Sequence, residues 1–212
     1  MWKGIDVSDN QGTINWAQIP ENVDFAVLRS VRRSGKTDHQ FAANLEGCRE
    51  RNIQVSVYKY TYATTPEAAR QEAQQVVALL QSYGLAGTMI WWDVEDKDVL
   101  RPLGVTKLTE CIRAAQEVVE AAGYGFGLYV GLYVYKERWF DFDAFAGARL
   151  WVARYYHGYH TMQFADEAPP GCQELLKMDV RQMNAQRGHQ WVNAMAQCIQ
   201  TDINLQNSSA AA

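Results

Sequence analysis

Short runs rich in β-branched and aromatic residues recur along this chain, and helix-patterned stretches lie between the early ones, from the second run to about residue 125. The first four runs are GIDVS near 4–8, DFAVLRSV at 24–31, IQVSVYKYTY at 53–62 and TMIWWDV at 88–94. Four more follow: GFGLYVG at 125–131, RLWVARYY at 149–156, MDVRQM at 178–183 and CIQTDINL at 198–205. Between the early runs, TDHQFAANLEGCRERN carries Phe41, Leu45 and Cys48 at near-helical spacing, with Thr37 or Asp38 as a candidate cap. TTPEAARQEAQQVVALLQSYG starts a second helix with Thr65 before Pro66, and TKLTECIRAAQEVVEAAG forms a third. Alternating strands and helices predict an α/β fold with a parallel sheet. Eight strands in about 205 residues, with helices shortening after the fifth, predict a modified TIM-like (β/α) barrel with eight strands and fewer helices in its second half. A doubly wound sheet fits less well, because no Gly-rich phosphate loop follows an early strand.

Composition narrows the partners. Apolar residues make up 48% of the chain and charged residues 21%, as in a globular protein. The net charge of −4, without a basic block, argues against nucleic acid and against an anionic membrane as partner. No apolar run approaches 18 residues, so membrane insertion is not expected, and MWKGIDVSDN is not patterned as a secretory signal. Cys48, Cys111, Cys172 and Cys198 show no metal-binding spacing and sit in or beside apolar segments, so buried reduced thiols are expected. Seven Trp and eleven Tyr suit a carbohydrate ligand.

Strand parity then picks out carboxylates. In the third run Ile53, Val55 and Val57 share one face and Gln54, Ser56, Tyr58 and Tyr60 the other, so the polar and aromatic face is assigned to the barrel interior. In the fourth run, IWWDVED, Asp93 and Glu95 share a face, with Cα atoms about 6–7 Å apart. Mutual repulsion and burial should leave one of them protonated near neutral pH, which is what glycosidic bond cleavage requires. Trp91 lies on that face and is expected to help desolvate Glu95, Trp92 points to the helices, and Asp96 is assigned an ordinary loop role. Asp6 in the first run and Asp202 in the last, each flanked by apolar residues, could reach the same barrel mouth.

In order along the chain, GIDVSDNQGTINW, DFAVLRS, SVYKYTYA, WWDVED, GLYVG, LWVARY, RQM and TDINL resemble the motifs of the glycoside hydrolase family 25 lysozymes, the N-acetylmuramidases of phage endolysins and bacterial autolysins. The resemblance spans roughly residues 4–205. It implies a catalytic domain over 1–206, with 207–212 a linker or tail, that cleaves the β-1,4 bond between N-acetylmuramic acid and N-acetylglucosamine. By motif, Glu95 resembles the general acid and Asp93 the carboxylate that assists the 2-acetamido group, while Asp6 and Asp202 complete an acidic groove. Tyr58, Tyr60, Trp91, Tyr129, Trp151, Tyr155 and Gln182 stand where the substrate would be bound. No cofactor and no metal are implied. The implied partner is the peptidoglycan glycan strand, met at the bacterial cell wall by a monomer, as for a phage lysin released through a membrane pore.

The chain departs from the family at Lys59, usually His, at Ser56, often Gly, and at Arg181, often Trp. RSVRRSGKTD replaces a shorter acidic turn with three arginines and a lysine. These changes leave every carboxylate in place and bear on substrate contacts. A chitinase-type D-x-x-D-x-D-x-E is ruled out, because Trp91 and Thr88 fall where aspartates are required. Two other classes stay open from the residues alone: a divalent-metal enzyme using the same four carboxylates, and a wall-binding module without catalysis.

Overall fold

The computed structural model describes residues 4–153 and the backbone of 190–191. Six parallel strands, β1 (Gly4–Val7), β2 (Phe25–Arg29), β3 (Gln54–Tyr60), β4 (Met89–Asp93), β5 (Gly125–Gly131) and β6 (Arg149–Ala153), lie side by side in chain order and curl into a half-barrel. The free edge of β1 pairs antiparallel with β7 (Gln190–Trp191), a strand that the sequence pattern did not mark. The expected strands at 178–183 and 198–205 lie outside the described residues.

Helices α1 (Phe41–Glu50), α2 (Pro66–Ser82) and α3 (Gly104–Ala121) make the crossovers from β2 to β5, two short 3₁₀ turns connect β1 to β2, and a short α4 (Leu132–Glu137) follows β5. The Thr65 hydroxyl accepts the Ala68 N–H and Pro66 occupies the first turn, so α2 starts where the sequence placed it. α1 differs. It begins at Phe41, after Gln40, without a side-chain cap, because the Asp38 carboxylate is committed to Arg29 and to the Asp9 and Gln40 amides. Helices α2 and α3 bury one face each, led by Val76 and Leu80 on the first and Leu108, Ile112 and Val119 on the second. Each such side chain contributes about 1.5–3 kcal/mol relative to exposure. Cys48 and Cys111 are buried free thiols, as expected, while Cys172 and Cys198 lie outside the described residues. No helix among the described residues is long and apolar enough to cross a membrane.

The register sorts side chains into rows. Tyr60, Asp93, Tyr129 and Trp151 are direct neighbours on β3 to β6, and one step deeper Arg29, Tyr58, Trp91 and Gly127 form a second row. Partners across a parallel ladder share a face, so both rows point into the barrel. Lys59, Trp92 and Leu128 form the alternate row, directed at the helices. In the second row the large Trp91 ring fills the space left by Gly127, where a Cβ would come within 2.7 Å of it. Large beside small is how a barrel interior fills without voids.

Candidate active site

The row of Tyr60, Asp93, Tyr129 and Trp151 opens onto a cleft of about 530 Å³ at the C-terminal ends of the strands. That end is where barrel enzymes assemble their sites from strand tips and loops. Asp6, Tyr58 and Glu95 also line it, so seven of the positions singled out in the sequence meet in one cavity. Asp202, Tyr155 and Gln182 lie outside the described residues. Trp91 corrects its assignment. It is 1% exposed and does not line the cleft, because it sits one inward-facing step deeper than Asp93, about 6–7 Å down the strand. Its ring packs edge-on against Trp151, so it belongs to the floor under the cleft rather than to its walls.

The chain around the carboxylates is held from three sides. Thr61 N–H donates to the Asp93 carbonyl at 3.0 Å, Val94 N–H donates to the Tyr129 carbonyl at 2.9 Å, and the Tyr133 hydroxyl donates to the Glu95 carbonyl at 2.8 Å. Val94 is fully buried on the far face, which locks the parity that turns Asp93 and Glu95 toward the cleft. Asp96 behaves as the loop residue expected: its Oδ1 accepts the Asp98 and Val99 amides, closing a turn.

Burial and mutual repulsion set the charge states. Asp93 is 4% exposed, and burial, then Glu95 and Asp6, push its carboxyl well above the ordinary range against a smaller opposing pull from Lys59. Burial and the charge of Glu95 push Asp6 up to about 8. Glu95, partly exposed at the mouth, is raised to about 7 by burial and by Asp96. Asp6 Oδ2 and Asp93 Oδ1 are buried without a hydrogen-bond partner among the described residues, which itself favours the neutral form. Near neutral pH the cluster therefore holds protons, and the most accessible of them sits on Glu95.

Aromatic rings supply the walls. Tyr129 and Trp151 meet edge to face at 4.4 Å, and Tyr60 and Tyr62 lie 4.9 Å apart. Tyr62 is a cleft residue that sequence reading passed over, although it continues the Tyr58, Tyr60 parity by two residues. Asn10 and Arg29 were also passed over. Arg29 pairs with Asp9 and, at 2.6 Å, with Asp38, an ion network tying the loop after β1 to the loop after β2. Its partners lie 20 and 9 residues away in sequence, with no short-range pattern to announce them.

The family model for glycosyl hydrolases family 25 matches residues 5–197. No curated protein sequence matches the chain. Among solved structures, the catalytic domain of endolysin ply40 from bacteriophage P40 of Listeria monocytogenes superposes with a TM-score of 0.67 at 21% identity, over 89% of this chain and 98% of that one. A bacterial lysozyme from Streptomyces coelicolor gives 0.63 at 19% identity, over 79% and 80%. The modular autolysin LytC from Streptococcus pneumoniae, solved in complex with a synthetic peptidoglycan ligand, gives 0.65 at 25% identity over 78% of this chain. The chain spans 40% of that autolysin's length. With the family model covering nearly the whole chain, over the same strands that build the acidic cleft, this protein belongs to glycosyl hydrolases family 25.

Proposed function

We propose that this glycoside hydrolase is a lysozyme that cleaves the β-1,4 bond between N-acetylmuramic acid and N-acetylglucosamine in peptidoglycan. The observation that carries the reading is the pairing of Glu95, raised to about 7 at the cleft mouth, with the buried Asp93 two residues before it. Family membership and the autolysin solved with a peptidoglycan ligand support the substrate class.

In this reading Glu95 delivers its proton to the glycosidic oxygen as the bond to the anomeric carbon breaks. Asp93 accepts the N–H of the 2-acetamido group and turns its carbonyl oxygen toward the anomeric carbon. Asp93 acts in its ionised form, its proton released to solvent through the cleft as the 2-acetamido N–H takes its place, and the low-dielectric setting then makes its attraction for the positive charge developing on the sugar strong. Water then adds at the anomeric carbon and returns a proton to Glu95. Asp6 limits the charge that accumulates beneath the pair, while Tyr58, Tyr60, Tyr129 and Trp151 take the apolar faces and hydroxyls of the glycan. Asp202, Tyr155 and Gln182 are proposed to join them from the remainder of an eight-stranded barrel spanning residues 1–206. Likeness to an endolysin catalytic domain fits action on a bacterial wall by a phage lysin.

Glu95→Gln is expected to lower the release of reducing ends from purified peptidoglycan by about 10²–10⁴-fold. New muramic acid ends identify the bond, and new glucosamine ends would refute the assignment. Activity that survives chelation separates this chemistry from a metal-dependent one. Binding without turnover in both wild type and Glu95→Gln would leave a wall-binding module.

A further inference from the structure

The hydrolysis described above makes no use of the most basic stretch at the cleft, the hairpin after β2. Val31 and Thr37 bridge antiparallel, Arg32 N–H donates to the Lys36 carbonyl at 2.9 Å, and Gly35 N–H donates to the Arg32 carbonyl at 3.0 Å. Gly35, at φ +77°, closes the three-residue loop, and a left-handed position there disfavours any other residue. The base is anchored as well: Asp38 N–H donates to the Ser30 carbonyl at 2.9 Å, and the Asp38 carboxylate holds Arg29. The hairpin is thus a ribbon built onto the barrel rim, and Arg32 and Arg33 project from it into the cleft.

Their surroundings differ from those of Arg29. Arg29 is neutralised by Asp9 and Asp38. Arg32 Nε donates to the Thr37 carbonyl at 3.2 Å, and the Arg33 guanidinium lies 4.4 Å over the Tyr62 ring. Among the described residues neither forms an ion pair with a carboxylate. Two guanidiniums are therefore oriented by a backbone carbonyl and an aromatic face, with their charge left over, on the same wall as Tyr60 and Tyr62. A planar cation fork at a fixed place selects a planar anion, above all a carboxylate.

A chain of N-acetylated sugars is neutral. In peptidoglycan the nearest anions hang on the lactyl ether of each muramic acid unit, as its own carboxylate or as the carboxylates of the peptide amide-linked to it. We infer that Arg32 and Arg33 form a carboxylate-binding subsite for this lactyl–peptide branch, which selects wall glycan over neutral polymers of N-acetylglucosamine. This rests on the peptidoglycan reading above.

The test measures binding, so it does not depend on turnover. Glu95→Gln protein is pelleted with teichoic-acid-free sacculi, with the same sacculi after conversion of their carboxyls to methylamides, and with glycan strands stripped of peptide but keeping free lactyl carboxylates. Native sacculi should bind about tenfold more tightly than the amidated ones, as two partly exposed charge-assisted contacts would give, and the preference should shrink as salt rises. Adding R32Q and R33Q should bring that preference close to one, and R32K with R33K should restore part of it. Preference kept on peptide-stripped strands assigns the lactyl carboxylate, and preference lost there assigns the peptide; both support the subsite. Equal binding to native and amidated sacculi, or a preference that survives in R32Q/R33Q with its melting temperature unchanged, would overturn it. Single R32Q and R33Q variants serve if the double variant folds poorly. If wild type releases no reducing ends from any of the substrates, the hydrolase reading fails while this comparison still stands.

Discussion

In the proposed reaction Glu95 must be protonated to act as the acid, and its carboxyl is held at about 7 by burial first and by the neighbouring Asp96 charge second. Turnover should therefore fall as pH rises through about 7. Asp96→Asn removes the repelling charge, favours ionised Glu95 and should move that alkaline limb to lower pH, while an amide oxygen at the same place still accepts the Asp98 and Val99 amides. A pH–rate profile with the limb unmoved would mean that Asp96 does not tune the acid. At this scale parity made much of the site legible, since alternation alone puts Asp93, Glu95, Tyr58 and Tyr60 on the inner face. Depth was not legible. Trp91 obeys the same parity as Asp93, but only the register across β3, β4 and β5 shows it to be one step below the cleft.

At the scale of elements, β3 is tied to α2 by a buried ion pair. Lys59 is 1% exposed, and its ammonium lies 3.2 Å from Glu72, which also accepts the Thr61 hydroxyl at 2.6 Å and the Tyr62 amide at 3.2 Å. The pair thus fixes the loop that carries Tyr62 into the cleft. Burial drives the Lys59 pKa down and Glu72 opposes that shift, so removing Glu72 leaves an uncompensated buried cation. Glu72→Ala should cost about 3–5 kcal/mol in urea unfolding. Lys59→Met with Glu72→Gln, which keeps the acceptor for Thr61, should cost clearly less than Glu72→Ala. An equal or larger loss in the double variant would show that the charge itself is not the issue. Between strands the corresponding constraint is Gly127. Gly127→Ala drives a methyl into the Trp91 ring and should cost about 1–3 kcal/mol by overpacking, measurable by thermal melting.

For the whole molecule, the strand–helix alternation was enough to predict a parallel sheet, because the helices between β2 and β5 each bury an apolar stripe, although only α2 has the side-chain start signal read from the sequence. β7 was not legible. Two residues are too few to show a period, and their pairing with β1 joins positions about 185 residues apart, a contact that no local pattern encodes. The barrel also brings Asp6 from the N-terminal strand against Glu95, and this long-range meeting has a thermodynamic consequence. An unfolded Asp titrates near 3.9, whereas folded Asp6 titrates at about 8, so the native state binds the extra proton between those values. Where the folded state binds more protons, stability falls as pH rises. The stability that protonated Asp6 provides is thus complete below about 4 and is lost progressively up to about 8. Asp6→Asn keeps a neutral group there at every pH. It should leave the melting temperature nearly unchanged at pH 4 and raise it at pH 8. With Asp6 partly exposed, the gain at pH 8 is discounted to about 1–3 kcal/mol, or about 2–4 °C for each kcal/mol in a domain of this size. The comparison must be the difference between wild type and variant at each pH, because Asp93 and Glu95 are also raised and add their own pH dependence to total stability. A variant less stable than wild type at pH 8 would mean that folded Asp6 is held ionised by partners, and the charge balance proposed for the cleft would have to be redrawn. A stabilised variant with reduced turnover would instead mark Asp6 as a carboxylate kept at a cost to the fold for the chemistry at Glu95.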